Sequence, residues 1–295
     1  MRLRWTVGDA TVTSLVESEI PTSPRFLYRN MNKSEVLERA AASPWLRPHF
    51  ISKDGYLLQT VQSLIISIGD RTIVVDTCIG NDKIRINQGW NRLQTTFLED
   101  MVHAGFDPDE VTDVVCTHLH VDHLGWNTRL VDGEWLPTFP NARYTFVEEE
   151  YQHWLNLGGL FYGEDVFTDS VKPVVVAGLV DLVGSSHQIC EGVNLVPTPG
   201  HTPGHVSVLV SSGGEQAVIT GDMVYNPLQI ADPTLASRYD TDPDAAIATR
   251  IRILNEWARQ SMLLIGTHFG HPTAGHLQPD GPGFLFEVEF GATGY

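Results

Sequence analysis

The sequence contains few cysteines and no long apolar run. Three cysteines, Cys78, Cys116 and Cys190, occur among 295 residues, so at least one lacks an intrachain partner. Each follows apolar residues, and we therefore expect three buried thiols in a reducing compartment rather than a disulfide framework. The first residues turn polar before an apolar signal segment can form, and no run of about 18 apolar residues occurs. These absences predict a cytoplasmic protein with no membrane partner.

Basic residues are also scarce. The chain carries 19 Lys and Arg against 36 Asp and Glu, which gives a formal net charge of −17. Nucleic-acid binding requires clusters of Lys and Arg that contact phosphates, and no basic stripe is present. The composition therefore excludes a nucleic-acid partner, and we interpret the acidity as a contribution to solubility.

The length and the 42% hydrophobic content are those of an α/β protein with a large core. We predict a single domain over residues 1–295. Residues 20–60 differ in composition from the rest of the chain, with four prolines among aromatic residues. A short helix is predicted over 33–42, with Asn32 as its N-cap. This segment is predicted to be an N-terminal arm or cap within the domain. Its candidate roles are to cover a functional site, to pack on a second subunit in a homodimer, or only to cover a sheet.

Hydrophobic periodicity predicts alternating strands and helices. Short β-branched or apolar runs predict strands over 60–68, 71–76, 113–116, 142–147, 194–197, 206–210, 217–220 and 262–265. Helical spacing predicts helices over 93–104, 148–157 and 242–260. Strands mixed with helices indicate a layered α/β protein.

The most informative segment lies between residues 117 and 124, where the chain reads THLHVDHL. Four side chains that bind metals, His118, His120, Asp122 and His123, fall within six positions. On an extended segment His118 and His120 point the same way, while Asp122 and His123 follow on a turn. Imidazole and carboxylate at this spacing suit divalent transition metals, so one segment can supply half the ligands of two adjacent ions.

Three further candidate ligands follow short β-prone runs elsewhere. His201 lies in TPGHTPGH, Asp222 in VITGDMVY and His268 in LLIGTHFGH. Strand ends that converge at one sheet edge would bring these residues together. The predicted ligands of one metal are His118, His120 and His201. The predicted ligands of the other are Asp122, His123 and His268. Asp222 would bridge the two ions.

With these motifs the chain resembles the metallo-β-lactamase superfamily, from about residue 63 to about residue 276. Within it, the sequence is most similar to the methyl parathion hydrolase group, through ADPTLASRYDTDPDAAIATR, and next to the acyl-homoserine lactonases. The resemblance implies an αββα sandwich, in which two mixed β-sheets pack face to face with helices outside and metals at one edge. It also implies that Asp76, in VVDTCIGN, orients the HxHxDH loop.

The ligand set predicts a dinuclear site that uses a metal-bridging hydroxide. A divalent ion lowers the pKa of a bound water to about 7, so no Ser or Cys nucleophile is required. His120 stands where a redox di-iron relative has Glu, which favours zinc and hydrolysis, although Co, Mn or Fe also fit these ligands. Asp122 is the ligand best placed to relay a proton.

Two aromatic residues are candidates for substrate contact. Trp126, directly after the metal motif, would form an apolar wall or else be a core residue. Tyr225, three residues after Asp222, resembles the tyrosine that lactonases place over the substrate carbonyl, and otherwise would pack beneath the loop. We therefore expect a dinuclear zinc hydrolase of small apolar carboxylic esters or lactones, and the resemblance adds organophosphate triesters. The alternatives are a dedicated acyl-homoserine lactone (quorum-quenching) lactonase, and a metal-binding protein without hydrolytic activity.

Overall fold

Two mixed β-sheets packed face to face form the centre of the fold. The computed structural model describes residues 2–161 and 163–293. The strands of the described chain are β1 (Leu3–Val7), β2 (Ala10–Thr22), β3 (Leu57–Ile68), β4 (Arg71–Val75), β5 (Asp113–Val115), β6 (Thr128–Val131), β7 (Glu134–Pro137), β8 (Arg143–Val147), β9 (Leu160–Phe161), β10 (Glu164–Asp165), β11 (Val180–Val183), β12 (Gln188–Cys190), β13 (Val193–Pro197), β14 (Val206–Ser212), β15 (Glu215–Ile219), β16 (Leu263–Ile265), β17 (Ala274–Asp280), β18 (Gly283–Glu289) and β19 (Ala292–Thr293). The helices are α1 (Pro24–Leu27), α2 (Lys33–Ala42), α3 (Phe97–His103), α4 (Glu148–Asn156), α5 (Lys172–Val176), α6 (Leu228–Ala231) and α7 (Pro243–Gln260).

Both sheets combine parallel and antiparallel pairs. In the described chain the first sheet has the order β11-β8-β5-β4-β3-β2-β1-β19, and β4, β5, β8 and β11 are parallel to one another. The second has the order β12-β13-β14-β15-β16-β17-β18, and only β15 and β16 pair in parallel within it. Hairpins β6–β7 and β9–β10 lie outside these sheets.

The main core lies between the two sheets. Strand β1 shows the alternation that produces it, because Leu3, Trp5 and Val7 are buried while the intervening residues are exposed. These side chains join Val12, Ile66 and others of the first sheet against Val208, Ile219 and Ile265 of the second. Helices α3 and α4 cover the outer face of the first sheet, and α7 covers that of the second. The αββα sandwich expected from the sequence is therefore confirmed.

Most predicted elements are present within one to three residues, and one helix is shorter than predicted. The helix expected over 93–104 begins only at Phe97. The preceding residues make other bonds, since the Thr95 N–H donates to Asn81 Oδ1 at 2.8 Å and the Leu93 carbonyl accepts from Asp82 N–H at 3.1 Å. Strands β1 and β2 were not predicted, although Gly8 and Asp9 form the turn between them.

The segment predicted as an arm over 20–60 has narrower bounds in the structure. Its first residues belong to β2 and its last to β3, which pair with each other, so the part outside the sheet is residues 23–56. Helix α2 begins at the predicted N-cap, where Asn32 Oδ1 accepts from Glu35 N–H and the Glu35 side chain accepts from Asn32 N–H. Leu27 and Val36 of this segment pack with Tyr225. We refer to residues 23–56 as the β2–β3 segment.

The sequence predicts that all three cysteines are buried and that no segment spans a membrane. Cys78 and Cys116 are buried as predicted, but Cys190 is only partly buried, because it lies on β12 at the edge of the second sheet. None of the described helices has both the length and the apolar character needed to cross a bilayer.

Candidate metal centre

The HxHxDH motif forms a buried loop immediately after β5. His118, His120 and His123 are each at most 2% exposed, whereas Asp122 is partly exposed. The loop bends rather than continuing the strand, and it ends in a 3-10 turn over Gly125–Asn127. Buried imidazoles in one loop present their ring nitrogens to a common interior point.

The other three predicted ligands also follow strands. His201 lies in the turn after β13, Asp222 in the 3-10 turn Gly221–Met223 after β15, and His268 after β16. All three are at most 3% exposed. Because these strand ends lie at the edge where the HxHxDH loop emerges, seven side chains from four loops meet.

The seven residues divide into two clusters. The first cluster is His118, His120, His201 and Asp222. In it, His201 Nε2 lies 2.9 Å from His120 Nδ1 and 3.2 Å from His118 Nε2. The second cluster is Asp122, His123 and His268. Here His268 Nε2 lies 3.1 Å from His123 Nε2 and 3.5 Å from Asp122 Oδ2. The structure thus brings together the residues that the sequence predicts for each set, with Asp222 included in the first cluster.

Asp222 lies between the clusters and faces both. Its Oδ1 is 3.3 Å from His123 Nε2 and 3.2 Å from His268 Nε2. Its Oδ2 is 3.5 Å from His201 Nε2 and 3.7 Å from His118 Nε2. Both oxygens are buried, and neither has a hydrogen-bond partner among the described residues. A buried carboxylate without partners is unfavourable, and a cation on each side would satisfy it.

The charge state of the histidines fits the same interpretation. Burial lowers the pKa of His118 and His120 well below the usual value, so both rings are neutral and have a lone pair available for a metal. Burial also opposes protonation of His123, but the negative charges of Asp222 and Asp76 outweigh it and raise its pKa. The residues therefore fit a pair of divalent cations, because His118 and His120 offer neutral nitrogens, and the raised pKa of His123 shows that the carboxylates favour positive charge at the centre.

Asp76 orients the HxHxDH loop. It directly follows β4 and has a φ of 57°, which turns its side chain beneath the motif. Its Oδ1 accepts from the Thr117 N–H at 2.8 Å, and its Oδ2 lies 2.8 Å from His123 Nδ1. A hydrogen-bonded Nδ1 leaves Nε2 of the same ring directed toward the second cluster.

Two outer residues were not identified as part of the site from sequence. Asp240 Oδ1 lies 3.1 Å from His201 Nδ1, and its Oδ2 accepts from the Ser237 N–H at 2.7 Å. The Thr60 carbonyl lies 2.8 Å from His268 Nδ1. Both residues are distant from the ligands in sequence.

Tyr225 lies over the clusters. Its ring is stacked on His268, with the centroids 5.7 Å apart and the planes at 10°, and its hydroxyl lies 3.4 Å from His201 Nε2. Burial and the negative charge of Asp222 raise the pKa of the Tyr225 hydroxyl well above its usual value. The group therefore stays protonated at neutral pH and can donate a hydrogen bond.

The prediction that Trp126 forms a wall of the substrate site is wrong. Its ring stacks on Phe97 at 5.6 Å in the core behind the metal loop, and its indole N–H donates to Glu17 Oε1 at 2.7 Å. Trp126 is not among the described residues that line the cavity. The 3-10 turn Gly125–Asn127 directs the indole away from the ligands.

A cavity of about 740 Å³ opens onto the second cluster and Tyr225. His120, Asp122 and His268 form its floor. Its apolar lining combines five aliphatic residues with five aromatic ones, which are Phe26, Trp90, Phe161, Tyr225 and Tyr239. Phe26 and Leu27 come from the β2–β3 segment, so this segment contributes to the wall. A cavity of this size suits a small, mainly apolar molecule.

Comparison with known proteins agrees with the geometry. Residues 55–259 match the model of the metallo-beta-lactamase superfamily, a region that includes every candidate ligand except His268. The N-acyl homoserine lactonase AiiA of Bacillus thuringiensis subsp. kurstaki is 26% identical over 169 residues, or 57% of this chain and 58% of the lactonase. The match thus spans less than two thirds of that relative.

Solved structures extend the likeness to the whole fold. A hydrolase of the beta lactamase superfamily, AbOPH, superposes with a TM-score of 0.79 at 22% identity, covering 99% of this chain and 98% of the other. The dizinc quorum-quenching lactonase AidC, solved in complex with an N-acyl-L-homoserine product, has a TM-score of 0.79 at 20% identity, covering 98% of this chain and 97% of the other. At these identities the superpositions establish the fold.

Proposed function

Because this chain belongs to the metallo-β-lactamase superfamily, we propose that it is a dinuclear zinc hydrolase of small apolar carboxylic esters or lactones. The observation that carries the proposal is the position of Asp222. Its two buried oxygens have no hydrogen-bond partner in the described part of the chain. Each faces one histidine cluster, which is the arrangement expected of a carboxylate shared by two cations.

The donor set supports zinc on both sides of Asp222. His118, His120 and His201 would hold one ion, and Asp122, His123 and His268 the other. Imidazole and carboxylate ligands suit Zn²⁺, and a protein with a similar fold is a dizinc enzyme. When bound, two such ions supply an activated water and a Lewis acid for the substrate oxygen.

Residues of the chain would supply the proton transfer, the hydrogen bond to the substrate oxygen and the orientation of the ligands. Asp122 is the one candidate ligand that is partly exposed, and it lines the cavity, so its carboxylate is placed to take up or relay a proton. The protonated hydroxyl of Tyr225 lies at the same cavity and can donate to an oxygen on which negative charge develops. Asp76 and Asp240 keep His123 and His201 oriented.

The cavity supports the choice of substrate class. Its aromatic lining favours an acyl or aryl group, and its volume admits a lactone with a short side chain. The acyl-homoserine lactonase relatives and the position of Tyr225 favour a dedicated lactonase as the alternative. Hydrolysis of organophosphate triesters is a further candidate, motivated by the resemblance of residues 231–250 to the methyl parathion hydrolases.

A substrate panel run on protein of known metal content tests this function. We expect close to two equivalents of zinc per chain by elemental analysis. Aryl esters and acyl-homoserine lactones should then be hydrolysed, and activity should be lost on chelation and restored by Zn²⁺. A protein that holds two equivalents of metal but turns over no ester, lactone or phosphotriester would be a metal-binding protein without hydrolytic activity. A value of one equivalent at full activity would exclude the dinuclear site.

A further inference from the structure

The first turn of α4 contains a carboxylate that is buried beside the first cluster. The turn begins with three glutamates, Glu148, Glu149 and Glu150. Glu148 and Glu149 are exposed, whereas Glu150 is 2% exposed. Fully buried glutamates are uncommon, because removing a charged carboxylate from water is unfavourable unless it gains specific partners.

The partners of Glu150 belong to the two loops that carry the first cluster. Its Oε1 accepts from the Leu119 N–H at 3.1 Å, and its Oε2 accepts from the Gly204 N–H at 3.1 Å. Leu119 lies between His118 and His120, and Gly204 lies three residues after His201. A single side chain therefore joins the loop after β5 to the loop after β13 by two hydrogen bonds to backbone.

Trp154 completes this arrangement one turn later on α4. Its indole N–H donates to Glu150 Oε1 at 2.6 Å, which fixes the carboxylate. Its ring also packs edge-on against the His120 imidazole, with the centroids 5.2 Å apart and the planes at 71°. The same helix thus holds the backbone of both loops and restrains one of the ligand rings.

The second glycine of TPGHTPGH is explained by this contact. A Cβ at Gly204 would lie 2.4 Å from the Glu150 backbone nitrogen and 2.6 Å from its Cβ. Only glycine allows the loop to approach α4 closely enough for the hydrogen bond to Glu150 Oε2. The second glycine of the motif is therefore required by the contact with Glu150, whereas the first histidine of the motif is the candidate ligand His201.

None of the hydrogen bonds that the described residues make to Glu150 reaches the second cluster. They reach Leu119, Gly204 and Trp154 only. The second cluster is instead oriented by Asp76 and by the Thr60 carbonyl. Glu150 therefore bonds only beside ligands of the first cluster, whereas Asp76 bonds to His123 of the second and also reaches the first through Thr117, whose Oγ1 lies 3.1 Å from His118 Nδ1.

We propose that Glu150 is a positioning residue that sets the affinity of the first cluster for its metal ion. It does so by holding the His118–His120 loop and the His201 loop at the separation that the ion requires. The inference rests on the proposed two-metal site and adds a residue whose effect is confined to one half of it. Replacement by Gln would put an amide N–H₂ opposite a backbone N–H, and one buried donor would lose its partner.

Zinc binding measured in one-site backgrounds tests this proposal. His268→Ala removes a ligand of the second cluster and leaves the first intact, and His201→Ala does the reverse. In the His268→Ala background, Glu150→Gln should lower the affinity for Zn²⁺ on the order of 10–100-fold, as losses of residues that orient ligands do. In the His201→Ala background we expect a change below about twofold, because no support of the second cluster is altered.

Glu149→Gln is the matched control, since it makes the same change on the exposed side of the same turn. It should leave both affinities unchanged. Equal losses in both backgrounds, accompanied by a lower melting temperature, would show general destabilisation and overturn the proposal. No loss in either background would also overturn it.

A second variant covers the case in which Glu150→Gln does not fold. Trp154→Phe keeps a smaller aromatic ring against His120 and removes the indole N–H that donates to Glu150 Oε1. A smaller loss of zinc affinity, again confined to the His268→Ala background, would support the proposal, and an equal effect on both clusters would contradict it. A protein with both clusters intact that binds no Zn²⁺ would instead remove the proposed function itself.

Discussion

The backbone N–H of Asp222 donates a 2.9 Å hydrogen bond to Nε2 of His205, a histidine that belongs to neither ligand cluster. Burial lowers the pKa of His205 to about 3, so its ring is neutral and Nε2 can accept. Its Nδ1 lies 2.8 Å from Thr198 Oγ1 at the end of β13. A histidine outside both clusters thus holds the backbone of Asp222, whose carboxylate lies between them.

Replacing the shared carboxylate should affect both halves of the site. Asp222→Asn keeps the volume and the backbone bond to His205 but removes the charge between the clusters. We expect zinc content to fall below two equivalents and kcat to fall on the order of 10²-fold or more, because ligand loss weakens both binding and chemistry. Metal analysis and kinetics on the same preparation make the measurement. Unchanged activity with two bound metals would remove Asp222 from the bridging role.

The hydroxyl of Tyr225 should matter more for lactones than for phosphotriesters. Tyr225→Phe keeps the ring stacked on His268 and removes only the donor. We expect kcat on lactones to fall about 10²-fold, as when one donor to a developing oxyanion is lost. A phosphotriester with an activated leaving group should lose less, because the metals would carry most of the charge on its oxygen. Small and equal losses on both substrates would mean that Tyr225 is a packing residue.

The β2–β3 segment should contribute to substrate binding through Phe26. This ring is 38% exposed at the cavity and lies 5.3 Å from Tyr239. Phe26→Ala should raise KM about fivefold for an apolar ester, for a loss of about 1 kcal/mol of apolar contact, with kcat nearly unchanged. Phe290→Ala, at an exposed ring that does not line the cavity, is the control. If both variants have wild-type KM, the segment only covers the fold.

Lys83 should make stability depend on pH. Its Nζ is buried, donates to Thr128 Oγ1 at 2.6 Å and to the Asp169 carbonyl at 2.9 Å, and burial lowers its pKa from 10.5 to about 7. Between these values the unfolded chain binds a proton that the folded chain does not. The free energy of unfolding should therefore rise with pH across this window, by up to about 1.4 kcal/mol per pH unit, and should not change from this source below pH 7.

The comparison with Lys83→Met isolates that contribution. The variant lacks the titrating group, so the stability of the wild type relative to the variant should increase from pH 7 toward pH 10 in denaturant titrations. Lys53→Met, at an exposed lysine, should show no such trend. A wild-type-minus-variant difference that stays constant over this range would show that the buried amine keeps its ordinary pKa.

The residues of the two clusters could be predicted from the sequence, and Asp76 from the resemblance, whereas the other residues that orient the clusters could not. His118, His120 and His123 stand in one short motif, and the strand-like runs before His201, Asp222 and His268 indicated a common sheet edge. Asp240 and Glu150 reach the site from segments with no metal-binding pattern, so only the packing of the chain reveals them. The error at Trp126 has the same origin, because adjacency to a ligand in sequence does not specify the direction of a side chain after a 3-10 turn.

The distribution of the ligands over both sheets has a consequence for the folding pathway. His123 follows β5 of the first sheet, His268 follows β16 of the second, and the two residues are 145 positions apart in the chain. Contacts of such high sequence separation form late, since the loop between them must close first. We therefore expect zinc to leave the refolding rate nearly unchanged and to slow unfolding, because ions that bind only the completed structure stabilise it after the transition state. The metal pair would then increase the kinetic stability of the native state, and the lifetime of the folded protein would increase with the free zinc concentration.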